Sequence, residues 1–175
     1  TLEAGSVDMV LADPPYGTTA CSWDSVIDLP SMWQELKRVI KPNGAIVLFG
    51  SQPFTSALVM SNPEMYKYSW FWEKAKGSNF QLTAYQPLRV IEEICVFSMG
   101  GTSASAAVPM FYAPQMHKLK NPSTYNFKNN PTRLVSPTAH LGNDSLDEKT
   151  YTHSQPRNLI YASTDGDKRI HPTQK

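Results

Sequence analysis

The stretch that most constrains this chain is Val7-Asp8-Met9-Val10-Leu11-Ala12-Asp13-Pro14-Pro15-Tyr16-Gly17, an apolar run that stops at an acid, two prolines, an aromatic and a glycine. Alternating and β-branched apolar residues from Val7 to Ala12 predict a buried strand. Pro14 and Pro15 fix φ and cannot donate to a sheet ladder, so the strand must end before them. Asp13 therefore stands at a strand's carboxyl edge. In open α/β sheets ligands bind outside the carboxyl ends of strands, so an acid and an aromatic on a stiff turn there are placed for chemistry.

Downstream, Thr18 to Ser25 is a polar stretch around Trp23 and Asp24 that predicts a loop over the edge of the site. Pro30 suits the first position of a helix, and Met32, Trp33, Leu36, Val39 and Ile40 recur at helical spacing, with Lys37, Arg38 and Lys41 near the negative end of the dipole. Lys41-Pro42-Asn43-Gly44 predicts the end of that helix. Ala45-Ile46-Val47-Leu48-Phe49-Gly50 is a continuous apolar run and predicts a strand buried on both faces. Strand, helix and strand in this order make a βαβ unit, for which a right-handed crossover is expected.

Gln52-Pro53-Phe54 through Met60 predicts a second helix, closed by Asn62-Pro63. Residues 66–73 are aromatic and partly alternating, which predicts a strand, and Glu93 to Ser98 predicts another. Nothing between the two forces a helical crossover, so they are read as an antiparallel pair closing one edge. The expected fold class is α/β, a mostly parallel Rossmann-like sheet with an antiparallel edge and a loop-rich insertion. Gly100 to Ala107 is rich in small residues and predicts a linker with a domain boundary. From 108 to about 168 prolines and asparagines are frequent and periodicity is weak, which predicts loop-rich material that orders on a partner.

Length bounds the fold: 175 residues, 41% of them apolar, suit one domain, or one plus a small insertion. The net charge of +1 says little, whereas its distribution says more. Residues 1–100 carry 7 Lys and Arg against 10 Asp and Glu, and residues 101–175 carry 9 against 5, together with all four histidines. No acid occurs between Glu93 and Asp144, where Lys118, Lys120, Lys128 and Arg133 are interleaved with Phe111, Tyr112, Tyr125 and Phe127. That combination predicts a nucleic-acid surface. Cys21 and Cys95 are far apart and lack a metal-ligand pattern, which argues against disulfides and metal sites and fits a reducing cytoplasm. No apolar stretch approaches the roughly 20 residues of a membrane span.

The string DPPYG after a hydrophobic strand resembles the catalytic motif of the β-class DNA amino-methyltransferases. The resemblance extends to LKRVIKPNGAIVLFG at 36–50, the SQPFTS that follows, WFWEK at 70–74, PLRVIEEICVFS at 87–98 and HPTQK at 171–175. The order is catalytic motif, target-recognition segment, cofactor motif. It implies a catalytic core over 1–100, a target-recognition segment over 101–168, and the start of a cofactor-binding part over 169–175, whose glycine-rich loop would follow Lys175. S-adenosylmethionine is the implied methyl donor, with Asp13, His171, Thr173, Gln174 and Lys175 as its implied contacts. Asp at the head of the motif implies N6-adenine specificity in double-stranded DNA, with cytosine N4 as the alternative. A restriction-modification setting in a bacterium or phage is implied, and a homodimer is left open.

The chemistry such an enzyme must solve is specific. The lone pair of an exocyclic amine is delocalised into the ring, so two acceptors must draw the N–H groups toward a tetrahedral arrangement and stabilise the charge that develops. Asp13 and the Pro14 carbonyl are the expected acceptors, with Pro15 restricting the backbone and Tyr16 supplying a face for a flipped-out base. Trp23, Phe80 and Tyr85 are candidate walls of the same pocket. Lys118, Lys120, Lys128, Arg133 and Arg157 are expected to meet phosphates, and Asn121, Asn126, Asn129, Asn130 and Gln155 are of the type that reads adenine. Two other readings are a split DNA-binding subunit without catalysis and a methyltransferase acting on RNA or a protein amide.

Overall fold

A computed structural model of the chain describes residues 2–18, 21, 24–126 and 148–162. It divides into two compact units, Thr1–Phe111 with Asn158–Lys175, and Tyr112–Arg157.

The first unit is built on strands β1 (Val7–Ala12), β2 (Ile40–Gly50), β3 (Tyr66–Ser78), β4 (Arg89–Phe97) and β7 (Leu159–Ala162), in the sheet order β1-β2-β4-β3-β7. β1 pairs parallel with β2, β4 runs antiparallel to both β2 and β3, and β7 runs parallel to β3. Four strands thus point one way and β4 alone is reversed. The expected Rossmann-like mixed sheet is present. The reversed strand lies at the centre of the order because β7, which the sequence reading left inside the loop-rich segment, adds outside β3. Its Leu159-Ile160-Tyr161 run is too short to show periodicity.

Helix α1 (Leu29–Val39) begins where the Asp28 side chain accepts from Ser31 N at 3.0 Å, with Pro30 in its first turn and Lys37 and Arg38 in its last. Hydrogen bonding from Ser31 holds the Asp28 carboxyl below its usual range. The helix passes into β2 at Ile40 directly, and the expected separate KPNG turn is instead a bulge within the strand. Val7 is opposite Ile40 and Met9 is opposite Ala45, so four residues loop out against Asp8, where Lys41 Nζ meets Asp8 Oδ1 at 2.6 Å.

Helix α2 (Phe54–Ser61) packs with α1 over one face of the sheet, enclosing Trp33, Ile40, Ile46, Leu48, Phe54, Leu58, Met65, Cys95 and Phe97. The Phe97 ring, fully buried beside Trp33 at 4.8 Å between centroids, is worth about 1.5–3 kcal/mol of burial. Ile46, Leu48 and Gly50 of β2 are buried and the alternating Val47 and Phe49 only half-buried, so the expectation of burial on both faces holds for one face. β1 behaves alike: Val7, Val10 and Ala12 pack on the core, while Met9 and Leu11 are 56% and 59% exposed.

The small-residue stretch at 100–107, expected to be a linker, is folded into the first unit. Gly101 N donates to Val108 O, Met110 N to Gly101 O, and Phe111 N to Asn43 O. In the second unit, β5 (His117–Asn126) and β6 (Glu148–Ser154) form an antiparallel pair, so regular structure is present in a segment read as loops. No described helix is long and apolar enough to cross a membrane.

Candidate active site

β1 ends at Ala12, and Asp13, Pro14, Pro15 and Tyr16 follow immediately at its carboxyl end, as the two prolines require. Asp13 is exposed, and the next three residues are half-buried. The Tyr16 hydroxyl donates to Asp13 Oδ1. One face of the Tyr16 ring stacks on Phe54, the first residue of α2, with centroids 5.3 Å apart and planes 27° apart. Gly50 at the end of β2 brings α2 close: a Cβ there would lie 2.6 Å from Thr55 Oγ1. The sheet edge and the start of α2 thereby meet at Tyr16.

Burial, followed by the hydrogen bond to Asp13 and the negative charges of Asp13, Glu92 and Asp24, pushes the Tyr16 phenol well above the ordinary tyrosine range. It is held as a neutral donor. Its backbone is held as firmly. Asp24, 9% exposed, accepts from Tyr16 N at 2.8 Å and Gly17 N at 2.9 Å through Oδ1, and from Thr18 N at 2.9 Å through Oδ2. Gly17 has φ +68°, and a Cβ on it would lie 2.9 Å from Val26 Cγ2, so the turn needs glycine twice over.

Behind the turn, Lys74 of β3 and Glu92 of β4 form an ion pair at 2.8 Å with side chains 14% and 7% exposed. The sequence places Asp24 in a loop over the edge of the site without giving it a role, and it marks neither Lys74 nor Glu92 as a site residue. The partners of Asp24 are backbone N–H groups, which leave no residue-type pattern, and the spacing of Lys74 and Glu92 becomes meaningful only once β3 and β4 are paired. Beyond the end of β2 lies a cavity of about 370 Å³ bordered by Gly50, Gln52, Arg89, Ile91 and Glu93, with Gln52 Nε2 donating to Glu93 Oε1 at 3.0 Å.

The structure brings Asp13, Pro14, Pro15 and Tyr16 together as expected from their adjacency. Phe80 and Tyr85, expected as pocket walls, are 71% and 89% exposed, and Trp23 lies outside the described residues. His171, Thr173, Gln174 and Lys175 also lie outside them, as do Lys128, Arg133, Asn129 and Asn130. Lys118 and Lys120 stand exposed on β5, and Arg157 is exposed at the end of the second unit. Among the described residues, no three His, Cys, Asp or Glu side chains group as a metal site.

No known protein-family model matches the chain. Its sequence is 23% identical over 194 residues to the type II methyltransferase M.HpaI of Haemophilus parainfluenzae, an alignment that takes in 98% of this chain and 58% of that protein. The chain thus spans little more than half the length of the curated relative it matches. Among solved structures, the PvuII DNA methyltransferase (cytosine-N4-specific) superposes with a TM-score of 0.53 at 11% identity, over 97% of this chain and 55% of that one. The crystal structure of an M1.HpyAVI–SAM complex aligns with a TM-score of 0.41 at 20% identity, over 66% of this chain and 52% of that one. The PvuII likeness shows the fold, a Rossmann-like methyltransferase sheet, and the chain resembles the DNA amino-methyltransferases.

Proposed function

We propose that this chain carries the catalytic part of an S-adenosylmethionine-dependent DNA methyltransferase that modifies the N6 amine of a flipped-out adenine. The observation that carries the reading is the Asp13-Pro14-Pro15-Tyr16 turn, held by the Tyr16–Asp13 bond and by Asp24 at the carboxyl end of a strand in a methyltransferase-type sheet. The similarity to a type II methyltransferase over nearly the whole chain supports it.

The described part of the site suits a cationic sulfonium donor in charge, because the exposed Asp13 carboxylate is opposite to it in sign. When bound, the donor supplies an electrophilic methyl group. The protein does the remainder. Asp13 and the Pro14 carbonyl accept from the two N–H groups of the amine and turn its lone pair outward, and the two prolines keep these acceptors in place before the base arrives. The ring of Tyr16, backed by Phe54, receives the base on its other face and offsets part of the cost of unstacking. The surplus proton leaves for a neighbouring acceptor after transfer. His171, Thr173, Gln174 and Lys175 are proposed to hold the donor, and Lys118, Lys120, Lys128, Arg133 and Arg157 to neutralise phosphates of duplex DNA.

Cytosine N4 is the second reading, since its exocyclic amine poses the same problem and the PvuII enzyme of like fold is cytosine-N4-specific by name. Transfer of a labelled methyl group to duplex DNA by the full-length protein, followed by nucleoside analysis, separates N6-methyladenine from N4-methylcytosine. Asp13→Ala is the control. Full activity in that variant would refute the mechanism.

A further inference from the structure

The carboxylate of Asp24 accepts from the backbone of the turn that carries Tyr16. Three successive N–H groups, of Tyr16, Gly17 and Thr18, converge on its two oxygens at 2.8, 2.9 and 2.9 Å. Successive N–H groups around a residue in the left-handed region form an anion-binding concavity, and Gly17 at φ +68° supplies that residue. Here the anion belongs to the chain itself. Asp24 is nearly buried, and its own N–H donates to Cys21 O at 3.0 Å, so the carboxylate is a fixed post and not a swinging surface group. Its position decides where the Tyr16 backbone lies. That in turn sets the stacking of the ring on Phe54 and the reach of its hydroxyl to Asp13.

We propose that Asp24 is a positioning residue for methyl transfer: by clamping the N–H groups of residues 16–18 it sets the geometry in which Asp13 and Tyr16 meet the target base. The proposal rests on the reading of Asp13–Tyr16 as the catalytic stretch. The role assigned to Asp24 is exerted through the turn and not by contact with the base or the donor. A carboxylate is required in full, because an Asn at this position keeps one acceptor oxygen for Tyr16 N and Gly17 N but turns an amide NH₂ toward the N–H of Thr18.

The test measures single-turnover methyl transfer, duplex-DNA affinity and melting temperature for the full-length protein and its Asp24→Asn, Asp24→Ala and Asp13→Ala variants. Misplacement of reacting groups by about 1 Å costs on the order of 100-fold, so Asp24→Ala is expected to slow transfer by about 100-fold and Asp24→Asn by about 10-fold. DNA affinity stays at the wild-type value, and the melting temperature falls as the N–H groups lose their acceptor, but the slowing of transfer exceeds any loss of folded protein at the assay temperature. A purely structural role predicts instead that activity falls only in step with the folded fraction, and that result overturns the proposal, as does a wild-type transfer rate in both variants. Should Asp24→Ala fail to fold, Asp24→Asn decides alone: slowed transfer in a folded protein supports the clamp, and an unslowed rate removes it. If Asp13→Ala abolishes transfer while the Asp24 variants are unaffected, only the positioning role is lost. If Asp13→Ala remains active, the catalytic reading itself fails.

Discussion

The hydroxyl of Tyr16 donates to the carboxylate of Asp13, so the acid at the tip of β1 already has a partner before any base arrives. The aromatic and the acid of the turn are one unit: the ring is oriented by its bond to the acid, and the acid by its bond to the ring. Tyr16→Phe keeps the flat face and releases Asp13. It is expected to lower the transfer rate by about 10-fold or more, following from about 1.5–3 kcal/mol for a hydrogen bond to a charged group, with little change in DNA affinity. Tyr16→Ala also removes the stacking face and should weaken binding of the flipped base by a further 1–3 kcal/mol or so. Comparing 2-aminopurine fluorescence at the target position in the two variants checks the division of labour.

Burial and nearby carboxylates raise the phenol of Tyr16 above the value of about 10 that it regains on unfolding. The folded state then binds a proton that the unfolded state releases. The contribution to stability is complete below pH 10 and is lost progressively as pH climbs from there toward the folded value. Melting temperatures from pH 8 to 11 are expected to fall more steeply for wild type than for Tyr16→Phe. Equal slopes would contradict the raised value.

Glu92 and Lys74 are both largely removed from water, and deleting Glu92 takes from the Lys74 ammonium its ion-pair partner. Glu92→Ala is expected to cost about 3–5 kcal/mol. Replacing both, as Lys74→Met with Glu92→Leu, should cost far less. Urea unfolding midpoints of the two variants measure the difference.

Gly5 and Gly17 share a left-handed φ, but a Cβ meets nothing within 4 Å at Gly5 and meets Val26 at 2.9 Å at Gly17. Gly5→Ala is expected to cost only the backbone term of about 1–2 kcal/mol. Gly17→Ala should cost more and also slow methyl transfer, because the turn holding Tyr16 must shift. Partial recovery of stability in Gly17→Ala with Val26→Ala confirms that the side-chain clash is the excess.

Lys118, Lys120 and Arg157 are exposed cations of the second unit. If each neutralises a phosphate, each alanine substitution should reduce the log–log salt slope of DNA binding by about 0.9 and weaken binding alike for all sequences. Filter binding or fluorescence anisotropy between low and moderate salt reads the slope directly.

Much of this was legible in the sequence where local chemistry decides the outcome. Pro14 and Pro15 fix the end of β1, and Pro30 with the spacing of Trp33, Leu36 and Val39 marks α1, because proline and periodicity act within a few residues. What escaped depends on distant partners. Met9 and Leu11 look like core residues until the packing of β1 is known on each face. Leu159–Ala162 is a strand only because β3 offers it an edge, and Asp24 is tied to the turn after β1 through atoms common to every residue. Asp13, Pro14, Pro15 and Tyr16 were readable as a group since adjacency alone assembles them, whereas the buried Lys74–Glu92 pair required the register of two strands.

The second unit leaves the first and returns to it, and the first unit holds both ends: Phe111 N donates to Asn43 O, and Asn158 O accepts from Phe71 N. Residues 112–157 are thus a cassette spliced between two anchored points. Loop-closure entropy grows only slowly with length, so such a cassette can be lengthened, shortened or exchanged without altering the strand order that carries Asp13. Changes of length or sequence inside the cassette leave Asp13 at the carboxyl end of β1 and the two anchoring hydrogen bonds in place.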